Sequence, residues 1–154
     1  MSPQHLKEQL LALTEQLAGQ TLDAGLQTWL NTAYGPTSAG YRALRAACLA
    51  GVAEGWLCER EGGGLRYGRI FKPAPDLQGF SVDVVDMSNI AGPHHSHPLG
   101  EIDLIMPIDD SARFDDHSAG WLVCPPGSAH HPTVTQGRAL VLYLLPQGRI
   151  DFTR

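Results

Sequence analysis

The chain has no run of about 18 apolar residues, the length a helix needs to cross a bilayer. It also has no cluster of Lys or Arg that would form the basic stripe required to neutralise nucleic-acid phosphates or bind an anionic membrane surface. Eleven basic residues stand against sixteen acidic ones, a formal charge of -5. Nucleic acid and membrane are therefore excluded as expected partners. Cysteine is scarce as well. Cys48, Cys58 and Cys124 are odd in number and widely spaced, which argues against a disulfide framework and for reduced, buried thiols. The opening Met1-Ser2-Pro3-Gln4-His5 lacks the basic-then-apolar order of a secretion signal, so a cytoplasmic location is expected. No internal repeat or low-complexity tract interrupts the chain.

What is present is enough for one domain: 154 residues, 43% of them hydrophobic. The first third has helical periodicity. Ser2 is a cap and Pro3 suits the first helical position, ahead of Leu6, Leu10, Leu13 and Leu17 on one face. Leu22, Leu26, Trp29 and Leu30 form a second stripe, with Thr21 and Asp23 at its start. Ser38 opens a third helix through Tyr41, Leu44, Ala47, Cys48 and Val52. Gly19, the Tyr34-Gly35-Pro36 break and Gly55 end the three helices. These stripes fit packing on a sheet or on a second subunit, and they are wide enough for a homodimer.

From Trp56 the period becomes two. Trp56 to Arg60 and Leu65 to Phe71 flank Gly62-Gly63-Gly64, a hairpin signal because glycine takes positive φ without steric cost. Phe80, Val82 and Val84 alternate with polar residues, and further strands are expected at Ile102 to Ile108, Gly120 to Cys124 and Ala139 to Leu145. Lys72-Pro73-Ala74-Pro75 reads as a loop between strands. Short strands separated by Pro and Gly describe an antiparallel sandwich or barrel over residues 56–154, on which a helical segment of residues 1–55 packs.

The segment Gly92 to Glu101 carries the chemistry. On a strand, His95 and His97 point to one side while His94 and Ser96 point to the other, so two imidazoles converge. Pro98-Leu99-Gly100 makes a turn, and Glu101 begins the next strand with its carboxylate able to return to the same point. A further ligand arrives from Gly120 to His131, where the Pro125-x-Gly127 turn leaves His130 facing inward. Three nitrogens and one carboxylate suit a divalent transition metal ion, Zn, Fe, Mn, Ni or Co, and leave positions open for catalysis. Cys124 is an alternative thiolate ligand. His94 and His131, each next to a ligand, should point away from the metal and lie at the surface or behind the ligands, where they would orient them and tune proton transfer.

His95-x-His97-x3-Glu101 followed by Pro125-x-Gly127-x2-His130 resembles the paired motifs of the cupin superfamily. That resemblance implies a mainly β protein with a helical N-terminal third: a cupin-type antiparallel β-barrel (double-stranded β-helix or jelly roll) whose metal sits on those four residues. Two positions depart from the pattern: Gly92 lies too close to the first His, and Val134 stands where an Asn is often found. The run Gly92 to Pro107, with Gly120-Trp121-Leu122-Val123, Pro125 to His130 and Leu144-Leu145-Pro146-x-Gly148-Arg149-Ile150, is similar more specifically to the 4-hydroxylaminobenzoate lyases of bacterial nitroaromatic catabolism.

The resemblance implies conversion of a small aromatic acid, 4-hydroxylaminobenzoate, to protocatechuate with release of ammonia. An aryl hydroxylamine must lose its N-bound hydroxyl while water adds to the adjacent ring carbon, and the imine must then be hydrolysed. A Lewis acid would stabilise the departing hydroxide, and no redox cofactor is required. Glu101 or Asp103 is the expected proton carrier, although Asp103 also reads as a strand-end surface acid. Arg66, Arg69 or Arg138 would receive the benzoate carboxylate, with at most one of Arg66 and Arg69 facing inward. Tyr143 and Trp121 would stack on the ring or simply pack in the core. Two other readings stand beside this one: an iron cupin dioxygenase or isomerase, separated from the lyase by oxygen uptake, and a non-catalytic sensor, which would bind a small acid without turnover.

Overall fold

The computed structural model describes residues 1–153. Three helices lead: α1 (Pro3–Leu17), α2 (Ala24–Ala33) and α3 (Ala39–Glu54). Their boundaries follow from local chemistry. The Ser2, Asp23 and Ser38 side chains accept hydrogen bonds from the backbone N–H groups of His5, Leu26 and Tyr41, satisfying donors that the first turn leaves orphaned. Gly55 ends α3 in the left-handed conformation at φ 85°. No helix among the described residues is long and apolar enough to cross a membrane.

Two antiparallel sheets follow and face each other as a jelly roll. The larger runs β1 (Arg60–Gly62), β2 (Leu65–Phe71), β3 (Phe80–Ala91), β9 (Thr133–Pro146), β5 (Glu101–Pro107) and β7 (Gly120–Cys124) in that order, with β6 (Arg113–Phe114) paired to the start of β9. The smaller has the order β10 (Asp151–Phe152), β4 (His95–His97), β8 (Ser128–His130). The hydrogen bonding does not run continuously around the roll, so the closed barrel expected from the sequence is two facing sheets. The larger sheet wraps over the smaller because its two long strands bend together. Asn89 and Gln136 take positive φ, the β3–β9 register shifts between Ser88 and Ile90, and the Gly137 N–H donates to Asn89 Oδ1.

Alternation gives the large sheet two different faces. Val82, Val84, Ile102, Leu104, Leu140, Leu142 and Leu144 point outward and form one core with the helix stripes, in which Leu6, Leu10, Leu13, Leu30 and Leu44 are essentially inaccessible. Val85, Met87, Ile105, Val141, Tyr143 and Leu145 point inward and form a second core with Phe114 and Val134. The helix stripes are therefore largely covered by the sheet, although Trp29 of the second stripe stays 38% exposed. A ten-residue helix such as α2 is marginal alone, and packing stabilises it. It also covers the free edge of β7. Asn31 Nδ2 donates to Trp121 O, Asn31 Oδ1 accepts from Trp121 N–H, and Gln27 Oε1 accepts from Val123 N–H. Two side chains one turn apart thus stand in for a neighbouring strand.

The hairpin expected at the glycine run is present. Gly62 pairs with Leu65 around Gly63 and Gly64, both at positive φ. The strand expected from Trp56 is not: β1 begins only at Arg60. The N–H groups of Trp56 and Leu57 both donate to Gly51 O, so this stretch completes the end of α3 rather than extending. Lys72 to Pro75 forms the expected loop, and the buried Leu77 and the Lys7–Asp76 ion pair dock it to α1.

Candidate active site

The small sheet and one strand of the large sheet build the site. His95 pairs directly with His130 across β4 and β8, and His97 lies two residues further along the same face as His95. After Gly100 the chain enters β5, where Glu101 heads the inward row. Gly100 has φ +89°, and a Cβ there would lie 2.9 Å from Cys124 O, so this tight return requires glycine. The N–H groups of Gly100 and Gly127 both donate to the His97 carbonyl, at 3.1 and 2.8 Å, which ties the turn before Glu101 to the turn before His130.

The four side chains meet. His97 Nε2 lies 3.2 Å from Glu101 Oε2, His95 Nε2 3.5 Å from Oε1, and His130 Nε2 3.5 Å from Oε2. His95 Nε2 and His130 Nε2 are 3.1 Å apart. One donor atom from each residue lies within 4.8 Å of all the others. His95, His97 and Glu101 are at most 2% exposed, and the His130 side chain is 16% exposed, so the cluster is reached from the His130 side. A cavity of about 370 Å³ lies there, lined by Asp115, Asp116, His130, His131, Thr133 and Thr135. A larger hollow of about 600 Å³, lined by Gln16, Asp23, Leu26 and Trp29 among others, lies on the helices and contains none of these donors.

Hydrogen bonds from the far side of the His97 and His130 rings fix which of their nitrogens faces the cluster. Ser128 Oγ donates to Pro125 O at 2.6 Å, so toward His97 Nδ1, 2.9 Å away, it can only accept. The His97 proton is thereby assigned to Nδ1, leaving Nε2 bare. His130 Nδ1 donates to Asp115 Oδ2 at 2.5 Å, and Asp115 is itself held by the Thr133 N–H. Burial alone would raise the Glu101 carboxyl; the surrounding His130, His95 and His97 rings outweigh it and hold Glu101 well below the ordinary range. Burial would lower His130, but Asp115 and Glu101 overcome it and bring its pKa to about 9.

A divalent ion fits this donor set. His97 Nε2 and both Glu101 oxygens are buried without a hydrogen-bond partner, and taking a carboxylate out of water costs several kcal/mol unless a charge offsets it. The field that draws a proton onto His130 would equally draw a cation, the two being alternatives. Three imidazoles with one carboxylate are ligands of the transition series rather than of Ca or Mg.

The remaining predicted residues divide. Asp103 is not a surface acid: it is fully buried two residues beyond Glu101 on the same face, with Oδ1 unpartnered and Cys124 Sγ 3.8 Å from Oδ2. Burial first, then the Glu101 charge, push its carboxyl well above the ordinary range. Cys124 groups with Glu101 and Asp103, away from the imidazoles, and burial pushes its thiol up. Tyr143 faces the chamber, its ring 6.3 Å from that of His95 and its hydroxyl buried without a partner. Trp121 has the opposite parity and lies in the helix-side core, the packing role the sequence also allowed, donating Nε1–H to Tyr34 O at 2.9 Å.

The arginines are corrected in the same way. Arg66 and Arg138 stand on the outward face, flanking Asp86, with Arg138 bonded to it at 2.8 and 2.7 Å and Arg66 donating to Cys58 O. Only Arg69 shares the inward face, in register with Asp83 and Tyr143, and it donates to both oxygens of Asp83 and to Gly148 O. His94 and His131 point away from the cluster and lie against each other, ring centroids 4.8 Å apart and tilted by 58°, with His94 bonded to Thr153 and His131 near Gly92 O. Neither hydrogen-bonds a proposed ligand among the described residues. Asp115 and Ser128 hold the ligands instead. Asp115 went unpredicted because it reaches His130 through a turn with positive φ at both Asp115 and Asp116, which strand periodicity does not reveal. Asp115→Ala is expected to weaken divalent-ion affinity about 10- to 100-fold, measured by chelator competition.

Comparison with known proteins extends the picture along the whole chain. The family model of 4-hydroxylaminobenzoate lyase (PnbB) matches residues 8–152. The chain is similar to a 4-hydroxylaminobenzoate lyase of Nocardioides sp. (strain LMS-CY), 32% identical over 98% of this chain and 95% of that one. It is likewise similar to one of Pseudomonas putida, 33% identical over 86% and 85%. Among solved structures, a Ralstonia eutropha protein of unknown function with a cupin-like fold is 18% identical, with a TM-score of 0.42 over 59% of this chain and 60% of that one. With the family's pattern running from the first helix to the last strand, this chain belongs to the 4-hydroxylaminobenzoate lyase family of enzymes.

Proposed function

We propose that the chain converts 4-hydroxylaminobenzoate and one water to protocatechuate and ammonia, with a divalent transition metal ion held by His95, His97, Glu101 and His130. The observation that carries the reading is the family match over residues 8–152, and the convergence of the four donors supports it. The atoms balance without an external oxidant. Nitrogen loses its hydroxyl and gains electrons as the adjacent ring carbon gains oxygen, and hydrolysis of the imine then releases the nitrogen as ammonia. When bound, the ion supplies Lewis acidity toward the oxygen that leaves nitrogen.

The protein's own groups do the rest. Ser128 and Asp115 keep the His97 and His130 Nε2 lone pairs aimed at the cluster. Asp103, buried beside Glu101 and holding its proton, is the group placed to protonate the departing hydroxide. The inward core of Phe114, Val141 and Leu145 would keep bulk water from the buried side of the donor cluster. Tyr143 offers a ring face to the aromatic substrate. Arg69, the inward-facing arginine, offers Nη1 to the carboxylate while its other nitrogens stay on Asp83 and Gly148.

The test is incubation of purified protein with 4-hydroxylaminobenzoate, following protocatechuate and ammonia, before and after chelation and after restoring single divalent ions. Equal amounts of both products are expected, lost on chelation and regained with an ion, without oxygen uptake. Metal-loaded protein that forms neither product sinks the lyase reading; turnover indifferent to chelation sinks the role of the ion.

A further inference from the structure

The C-terminal strand places an aromatic ring where neither the ligand cluster nor the fold requires one. In the small sheet, Phe152 of β10 pairs with His95 and Asp151 with Ser96. Directly opposed residues of an antiparallel pair share a face. Phe152 therefore lies on the inward side with His95, its ring centroid 5.8 Å away and nearly edge-on at 69°. Yet it is 66% exposed, whereas Tyr143, 6.3 Å from the same imidazole, is 5% exposed. The exposed phenyl ring thus lies in one cross-strand row with two ligand imidazoles, beside His95 and on the opposite side of it from His130.

Phe152 is also held in place rather than left on a loose end. The Thr153 N–H donates to His94 O at 3.0 Å, and the Thr153 hydroxyl bonds His94 Nδ1. Upstream, Gln147 and Gly148 turn the chain at positive φ, and the Gly148 carbonyl accepts from Arg69. A fixed, exposed phenyl ring beside a ligand imidazole matches a flat aromatic ring brought to the cluster, since edge-to-face and offset contacts between rings are favourable beyond the area they bury. Resting on the function proposed above, we propose that Phe152 is the solvent-side wall on which the substrate ring packs, and so a specificity-determining residue for aryl substrates.

The test compares metal-loaded wild type with Phe152→Ala, Phe152→Leu and Phe152→Tyr, measuring turnover and, by calorimetry, protocatechuate binding. Removing the exposed ring leaves no internal cavity, so melting temperature and metal content should not change. For Phe152→Ala, KM and the protocatechuate Kd are expected to rise about tenfold with kcat within about threefold, the loss of one well-packed ring contact. Phe152→Tyr should restore wild-type values and Phe152→Leu should not. Unchanged KM and Kd in Phe152→Ala, a leucine variant equal to wild type, or a variant that alters only oligomeric state would each overturn the proposal. Wild type that binds protocatechuate without turnover rejects the lyase reading alone and leaves Phe152 to be judged on the Kd ratio. Wild type that does neither rejects both.

Discussion

Glu101→Gln is expected to bind no stoichiometric divalent ion and to lose activity by about 10³ or more, the rate equivalent of the several kcal/mol a catalytic cation supplies. Glu101 is the acid that approaches all three imidazoles, with Oε1 near His95 and Oε2 near His97 and His130. Glutamine keeps the volume and the strand position but turns one oxygen into an N–H₂ donor facing bare Nε2 atoms. It removes the only full negative charge among the four donors. The fold should survive because Glu101 contributes no hydrogen bond to it. Metal analysis and circular dichroism on the same sample check this: a variant that retains one ion per chain, or full turnover, contradicts the assignment.

Asp103→Asn should separate chemistry from metal binding. Asp103 sits one step beyond Glu101 on the inward face and groups with Glu101 and Cys124, not with the imidazoles. Asparagine preserves its shape but has no acidic proton to give. We expect metal content to match wild type while kcat falls about 10²- to 10⁴-fold, the range of a positioned proton donor, with KM little changed. The melting temperature should stay close to that of wild type, because asparagine keeps the volume of the side chain and a neutral polar group at this buried position. A variant that loses its ion points instead to a structural role through Glu101, and one that retains full kcat removes Asp103 from the chemistry.

Much of the site was legible because it obeys period two. His95 and His97 share a face, Glu101 follows a turn that needs Gly100, and His130 follows one built on Pro125 and Gly127. The helix caps at Ser2, Asp23 and Ser38 were equally local and equally readable. What stayed hidden was the absolute side of each strand. Parity showed that Arg66 and Arg69 diverge, but not which one meets the chamber; that depends on β3 and β9 carrying apolar residues on both faces, one row for the helices and one for the roll. Trp121 shows the same ambiguity, since Leu122 and Trp121 are both hydrophobic and only pairing with Leu104 settles the face. Asp115 was beyond reach for another reason. Its contact with His130 joins a loop to a strand fifteen residues away, and no periodicity encodes such a meeting.

Three donors hang from the small sheet and the fourth from the large one. The small sheet consists of strands of three, three and two residues, too little backbone pairing to be rigid on its own. An ion held by all four donors would therefore be a rivet as well as a reagent. Without it the short-stranded rim around His95 and His130 would open before the large sheet, which its helices anchor. Removal of such an ion would then take away the Lewis acid and loosen the rim together.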